Sequence, residues 1–322
     1  MSRNETLKGA GENFAIRPRP GISDTASPPI AVGNAVIKRI EEVRYKFPLS
    51  MFGLDGAVLD QHWHWLFPRF ADSDRNWDMV VQSWITVVDD RVVVVDPCVG
   101  NGRSFPELPM FDMLETPFIE RLAATGIRPE DVDVVFCTHL HSDHCGWNTR
   151  LLGGAYVPTF PNARYVVVRR EFDRWDTRNS AYGRNEIHNR LNAGVFENSV
   201  LPVLQAGLVD LVPDTHRISA SLEIEPAYGH TRGHSCLHLS SAGQEAYFTG
   251  DVFHHPLELL YPDIDANTCE HYPTTAETRR RLIRKLIAQQ ALIIPAHFAA
   301  PYVGYVREND AGVRFEPRRS VS

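Results

Sequence analysis

The sequence predicts an α/β protein of layered sheets and helices, and three observations carry that prediction. Apolar strand-like runs such as VDVVFCT and ALIIPAH alternate with helical stretches such as FIERLAATG along the 322 residues. Several of the strand-like runs end at a histidine or an aspartate. With 43% hydrophobic and 23% charged residues, the composition is that of an ordinary folded chain able to bury a sizeable core.

Residues 1–35 are polar, contain the proline-rich piece RPRPGISDTASPP, and show no sustained period. They are expected to form a flexible arm, or one that docks on a second subunit in a homodimer. Residues 36–318 are expected to form a single domain, with EPRRSVS fraying at the end. In HWHWLFP, His62 to Pro68, an extended backbone would put Trp63 and Trp65 on one face, where they would either serve as a lid over a pocket or pack an amino-terminal flap. From about Met79, VVQSWITVV and RVVVVDP flank Asp89 and Asp90 and read as a hairpin. FIERLAATGIRPEDVD gives a short amphipathic helix ending near Gly126, and VDVVFCT is a strand that delivers His139. Strands are then expected at ARYVVV, SLEIEPAY, CLHLS and EAYFTG, with a helix at REFDRW. Thr274 and Glu277 have the spacing of a capping box ahead of a helix carrying Leu282, Ile283, Leu286 and Ile287 on one face. A buried strand, ALIIPAH, closes the series at His297.

A net charge of −7 offers no broad basic footprint, which argues against nucleic acid as a partner. No run approaches the roughly 18 consecutive apolar residues of a membrane span. The amino terminus lacks the apolar core of a secretory signal, so a cytoplasmic location is expected. Five scattered cysteines without a Cys-x-x-Cys pair read as free thiols.

The chemistry concentrates in THLHSDHCGW, Thr138 to Trp147, where His139, His141, Asp143 and His144 fall within six residues. Imidazole and carboxylate suit borderline divalent metals, with bonds of about 2.0 to 2.2 Å. Side chains two apart on an extended chain point the same way, so His139 and His141 can converge on one ion while Asp143 and His144, past the bend, face a second. GHTRGH adds His230 and His234, FTGD adds Asp251, and PAHF adds His297, each at or just beyond a strand end. Cys145, beside the ligands, reads as a small packing thiol.

In this order and at these separations, THLHSDH, GHTRGH, FTGD and PAHF resemble the metallo-β-lactamase superfamily, from about Val80 to Phe298. The resemblance implies a four-layer αβ/βα sandwich with two divalent ions in a cleft at the sheet edges. It implies that His139, His141 and His230 hold one ion, that Asp143, His144 and His297 hold the other, and that Asp251 bridges them. His234 would then be a supporting residue. Zinc is the first expectation, and manganese, iron and cobalt suit the same ligands. Two ions roughly 3.5 to 4 Å apart can share a hydroxide at neutral pH and polarise a carbonyl or phosphoryl oxygen, so hydrolysis is the natural reaction.

VPTFPNARYVVVRREFDRW, the HHP after Asp251, and PAHFAAPYVGYVRENDAGVRFEP resemble the branch that contains methyl parathion hydrolase and the acyl-homoserine lactonases. Those lactonases carry a tyrosine three residues after the bridging aspartate, where this chain has His254. His254 can donate to a substrate oxygen or leaving group; alternatively, it and His255 shape the loop before Pro256. The expected catalytic set is Asp143, Asp251 and His254, and Trp63, Trp65, Trp147, Phe253 and Phe298 are candidates for a partly apolar pocket. Asp96 either orients a ligand histidine or closes an Asp-Pro turn. A lactone or carboxylic ester of a small molecule is the first substrate expectation. An organophosphate triester, a glyoxalase II type thioester, and oxygen chemistry at a single iron are the alternatives.

Overall fold

The computed structural model describes residues 28–179, 186–264, 266, 268–310 and 312–319. In chain order the strands are β1 (Ile30–Val32), β2 (Ala35–Pro48), β3 (Asn76–Val88), β4 (Arg91–Val95), β5 (Val134–Phe136), β6 (Thr149–Leu152), β7 (Ala155–Pro158), β8 (Arg164–Val168) and β9 (Val209–Val212). They continue as β10 (His216–Arg217), β11 (Leu222–Pro226), β12 (Ser235–Ser241), β13 (Gln244–Gly250), β14 (Leu292–Pro295), β15 (Gly304–Asn309) and β16 (Gly312–Pro317). The helices are α1 (Gly56–Leu66), α2 (Phe118–Ala124), α3 (Arg169–Trp175), α4 (Glu186–Leu191), α5 (Leu201–Gln205), α6 (Leu257–Leu260) and α7 (Tyr272–Gln289).

Two seven-stranded sheets form, ordered β1-β2-β3-β4-β5-β8-β9 and β10-β11-β12-β13-β14-β15-β16. Strand alternation builds the layers. In RVVVV, Val93 and Val95 join a core with Leu237, Phe248 and Ile294 of the other sheet, while Val94 faces Phe118 and Leu122 of α2 and Phe172 of α3. On the far side, Tyr247 and Ile293 pack under Leu282, Ile283 and Leu286 of α7. The result is the expected sequence of helix, sheet, sheet, helix. No helix among the described residues is long and apolar enough to cross a membrane.

The β3–β4 hairpin turns on Asp89 and Asp90, both left-handed at φ 52° and 55°, the conformation a two-residue turn requires. α2 ends at Thr125 ahead of Gly126 (φ 82°), as its sequence predicts. Two expectations change. HWHWLFP is not extended: its first five residues end α1, whose start is capped by the Asp55 carboxylate accepting from Ala57 N. α7 begins at Tyr272, so Thr274 is not its cap. The ring of His271 accepts from Thr274 N instead, and Pro273 presets the first turn. Residues 1–27 of the expected arm lie outside the described residues, and Ile30–Val32 pair with Ala35–Ile37.

The first sheet is parallel from β4 through β5 and β8 to its edge strand β9, and the second only between β13 and β14. Open α/β sheets bind ligands at the carboxyl ends of such strands. Asp96 follows β4, His139 to His144 follow β5, Asp251 follows β13 and His297 follows β14, while His230 lies in the loop from β11 to β12. The fold therefore brings ligands from both sheets to one edge.

Candidate metal centre

His139, His141, His230 and Asp251 form one group whose ligand atoms lie within 4.8 Å of one another, and Asp143, His144 and His297 form a second. Asp251 reaches both. Its Oδ1 is 3.0 Å from His297 Nε2 and 3.2 Å from His144 Nε2, and its Oδ2 is 3.2 Å from His230 Nε2. All seven ring and carboxylate positions expected from the sequence come together. Asp143 stands at the rim, 3.6 Å from both His144 and His297.

The donor set fits a divalent cation. His297 Nδ1 donates to Val80 O at 2.8 Å, which leaves Nε2 as a lone pair, yet that atom faces His144 Nε2 at 3.3 Å. His141 Nδ1 and His230 Nε2 oppose each other at 3.0 Å. His139 Nε2, His141 Nε2 and Asp251 Oδ1 are buried without an aligned hydrogen bond. Unpaired buried acceptors are costly, and a cation is the partner this arrangement would satisfy. Burial holds His139, His141 and His230 well below the usual imidazole range, which keeps them neutral. For Asp251, burial acts to raise the pKa, but the rings of His144, His297 and His254 outweigh it and hold the group anionic.

Local structure explains the placement. Asp96 (φ 50°) accepts from Thr138 N at 2.7 Å and from Thr138 Oγ1 at 2.8 Å, with its Oδ2 3.1 Å from His144 Nδ1. Asp96 thus anchors the loop through Thr138, and it stands beside the His144 ring without an aligned hydrogen bond to it. His234 is fully buried, and its Nε2 accepts from Asp251 N at 3.0 Å, so it holds the backbone of the shared carboxylate. Gly250 has no room for a side chain: a Cβ would stand 2.5 Å from Thr138 Oγ1 and 2.6 Å from His234 Nε2. Cys145 is buried with its thiol donating to His141 O at 3.3 Å, a packing role.

A cavity of about 210 Å³ borders the centre at His254 and Phe298, with His255, Phe70, Trp77 and Pro256 also in its walls. Lys46, Arg69, Asp72, Asn76 and Asp78 make it partly polar. His254 Nε2 is 3.2 Å from Asp251 Oδ2, and its Nδ1 is 3.5 Å from Glu258 Oε2. Burial disfavours a charged His254, but Asp251 and Glu258 outweigh it and push the pKa up to about 10. His255 is turned away, with its ring bonded to Phe70 O at 3.0 Å.

Of the aromatic residues expected at the pocket, Phe298 alone borders this cavity. Trp147 is buried, stacked on Phe118 at 4.9 Å, and donates to Glu42. Phe253 belongs to the core under α7. Because α1 is helical, Trp63 turns to stack on Phe67 at 5.5 Å, and Trp65 packs against Phe70 at 5.8 Å. Sequence reasoning missed Phe70 and Trp77, which carry no positional signal, and Glu258, whose only signal is its place four residues after His254.

A match to the metallo-β-lactamase superfamily covers residues 77–297. A stretch of 88 residues is 33% identical to the N-acyl homoserine lactonase AiiB of Agrobacterium fabrum, and spans 23% of this chain and 30% of that protein's length. Among solved structures, a hydrolase of the β-lactamase superfamily, AbOPH, has a TM-score of 0.76 at 19% identity, covering 91% of this chain and 98% of its own. The dizinc quorum-quenching lactonase AidC has a TM-score of 0.72 at 18% identity, covering 92% of this chain and 98% of its own. A probable metal-dependent hydrolase from Staphylococcus aureus has a TM-score of 0.72 at 20% identity, covering 91% and 100%. At such identities the structural likeness speaks for the fold; the superfamily match, running through every one of the ligand loops, speaks for descent. This chain belongs to the metallo-β-lactamase superfamily.

Proposed function

We propose that the protein is a two-metal hydrolase that opens a lactone or cleaves a carboxylic ester of a small, partly apolar molecule. The observation that carries this reading is the position of Asp251, with one carboxylate oxygen turned to each histidine group. His139, His141 and His230 would hold one ion and Asp143, His144 and His297 the other, zinc being the first choice for this donor set. Bound there, the ions supply an acidified water and a Lewis acid for the substrate's carbonyl oxygen. Residues 36–318 act as one domain in this reading, supported by the core the two sheets share.

The chain's own residues do the rest. The cavity beside His254 and Phe298 would take the body of the substrate and place its carbonyl against the centre. When an oxygen nucleophile adds to that carbonyl and the ring or ester C–O bond breaks, the departing oxygen must gain a proton. His254 lines the cavity, and Asp251 and Glu258 favour its protonated form, so it would donate there. The lactone preference is further supported by the names of AiiB and AidC.

A panel of lactones, aryl esters, a thioester and an aryl phosphotriester, followed by proton release, tests the reading. Lactones and esters should turn over, and His254→Phe should lower their kcat by roughly 100-fold, the lower end for general acid catalysis. Turnover of the phosphotriester or the thioester alone would move the assignment to that class. Unchanged kcat in His254→Phe would remove the donor role.

A further inference from the structure

Glu171, in α3, is a buried carboxylate beside the centre that points at neither histidine group, yet it is bonded to two ligand loops at once. Its Oε1 accepts from Leu140 N at 2.9 Å and from Trp175 Nε1 at 2.7 Å. Its Oε2 accepts from Thr231 Oγ1 at 2.8 Å and from Gly233 N at 2.9 Å. Leu140 lies between His139 and His141, and Thr231 follows His230. The close approach is built into the sequence, because a Cβ on Gly233 would stand 2.3 Å from Glu171 N.

The other group is fixed by different bonds. Asp96 Oδ2 stands 3.1 Å from His144 Nδ1, Ser142 N, next to Asp143, donates to Asn192 Oδ1 at 2.8 Å, and His297 Nδ1 donates to Val80 O at 2.8 Å. Glu171 takes part in none of them.

We infer that Glu171 is a positioning residue for half of the centre: it sets the metal affinity of the His139, His141 and His230 group and leaves that of the Asp143, His144 and His297 group unchanged. A carboxylate offers acceptors only, about four lone-pair sites, and Glu171 meets four donors. Glutamine replaces one oxygen with an NH₂ donor, so whichever way the amide turns, a backbone N–H, that of Leu140 or that of Gly233, faces another donor, although the Thr231 hydroxyl can turn to accept. The Leu140 loop or the Thr231 loop then loses its anchor. Removing an outer partner of this kind typically costs roughly 10- to 100-fold in metal affinity.

The inference rests on the two-metal reading above, and its test needs no substrate. Cobalt(II) is titrated against a competing chelator into metal-free protein, with folding checked by circular dichroism. Wild type binding two ions supports the underlying reading; fewer than two overturns that reading and the inference with it. In a His297→Ala background, which keeps the first group, adding Glu171→Gln should weaken binding by roughly 10- to 100-fold. In a His141→Ala background, which keeps the second group, the same change should move affinity by less than about twofold. Equal weakening in both backgrounds is what a general structural role predicts and overturns the inference. So does no weakening in either, even with two ions bound by wild type. Should Glu171→Gln fail to fold, Thr231→Val removes one donor only, and a smaller loss confined to the first group is expected.

Discussion

Asp251→Ala is expected to leave the protein with less than half of its metal and to lower kcat/KM by roughly 1,000-fold or more, since several kcal/mol of charge stabilisation at 1.36 kcal/mol per decade are lost. The carboxylate is the shared anion of the centre, within 3.2 Å of the Nε2 atoms of His144, His230, His254 and His297. In the two-metal reading, removing it would take a ligand from both groups and leave four imidazoles without their shared carboxylate. Asp251→Asn keeps the shape without the charge and should fall between the two. Elemental analysis of the purified variants, read beside lactone turnover, checks this; full metal content with activity within tenfold of wild type would remove Asp251 from the centre.

Arg279→Ala should produce the largest loss of stability outside the centre, about 3 to 5 kcal/mol, the usual cost of breaking a buried ion pair from one side. Both Arg279 and Glu258 are fully buried and bonded to each other. Arg279 also donates from Nε to Val252 O at 2.8 Å and from Nη1 to Ile264 O at 2.6 Å. Glu258 accepts from the backbone N–H of His254 and His255. The variant would strand this carboxylate under the His254 loop. Burial raises the pKa of Glu258, but Arg279 and His254 outweigh it and hold it at about 2, below the ordinary 4.5. The sign follows from linkage: a depressed carboxyl contributes stability that is present above about pH 4.5 and is lost as pH falls toward about 2. The deficit of Arg279→Ala should thus be full at neutral pH and shrink on acidification, as Glu258 protonates in the variant first. Urea unfolding of metal-free protein between pH 4 and 8 measures it, and a deficit below 1 kcal/mol at pH 7 would refute the pair's importance.

The ligand candidates were legible because each ends or follows a strand-like run, while their division into two groups and the preference for His230 over His234 came from the family resemblance. The supporting carboxylates were not. Glu171 in REFDRW reads as the solvent face of a helix, since nothing local announces that donors from residues 140, 231 and 233 will surround it. β2 escaped for a related reason: Arg39, Glu41 and Glu42 look like a charged surface but are buried, with Arg39 paired to Glu41 and Glu42 receiving Val99 N. Arg39 and Glu41 are compensated within the strand, whereas the partners of Glu42, at Val99, Thr116 and Trp147, lie tens of positions away. The same distance problem misassigned the pocket. Trp63 and Trp65 were placed by a strand period, but the Asp55 cap and the packing of Leu59 and Leu66 against Leu257 favour a helix there.

The two sheets meet over apolar side chains, from Val93, Val95 and Phe136 on one side to Leu237, Phe248 and Ile294 on the other, while the metal-ligand candidates sit on the loops beyond the strand ends. Folding and loading are therefore expected to be separable events, unlike those of small zinc domains that collapse without their ion. Chelator-treated protein should unfold cooperatively and regain its turnover when metal returns. The centre then behaves as an exchangeable fitting on a finished scaffold, and the ion it carries at any moment is set by what the surroundings supply.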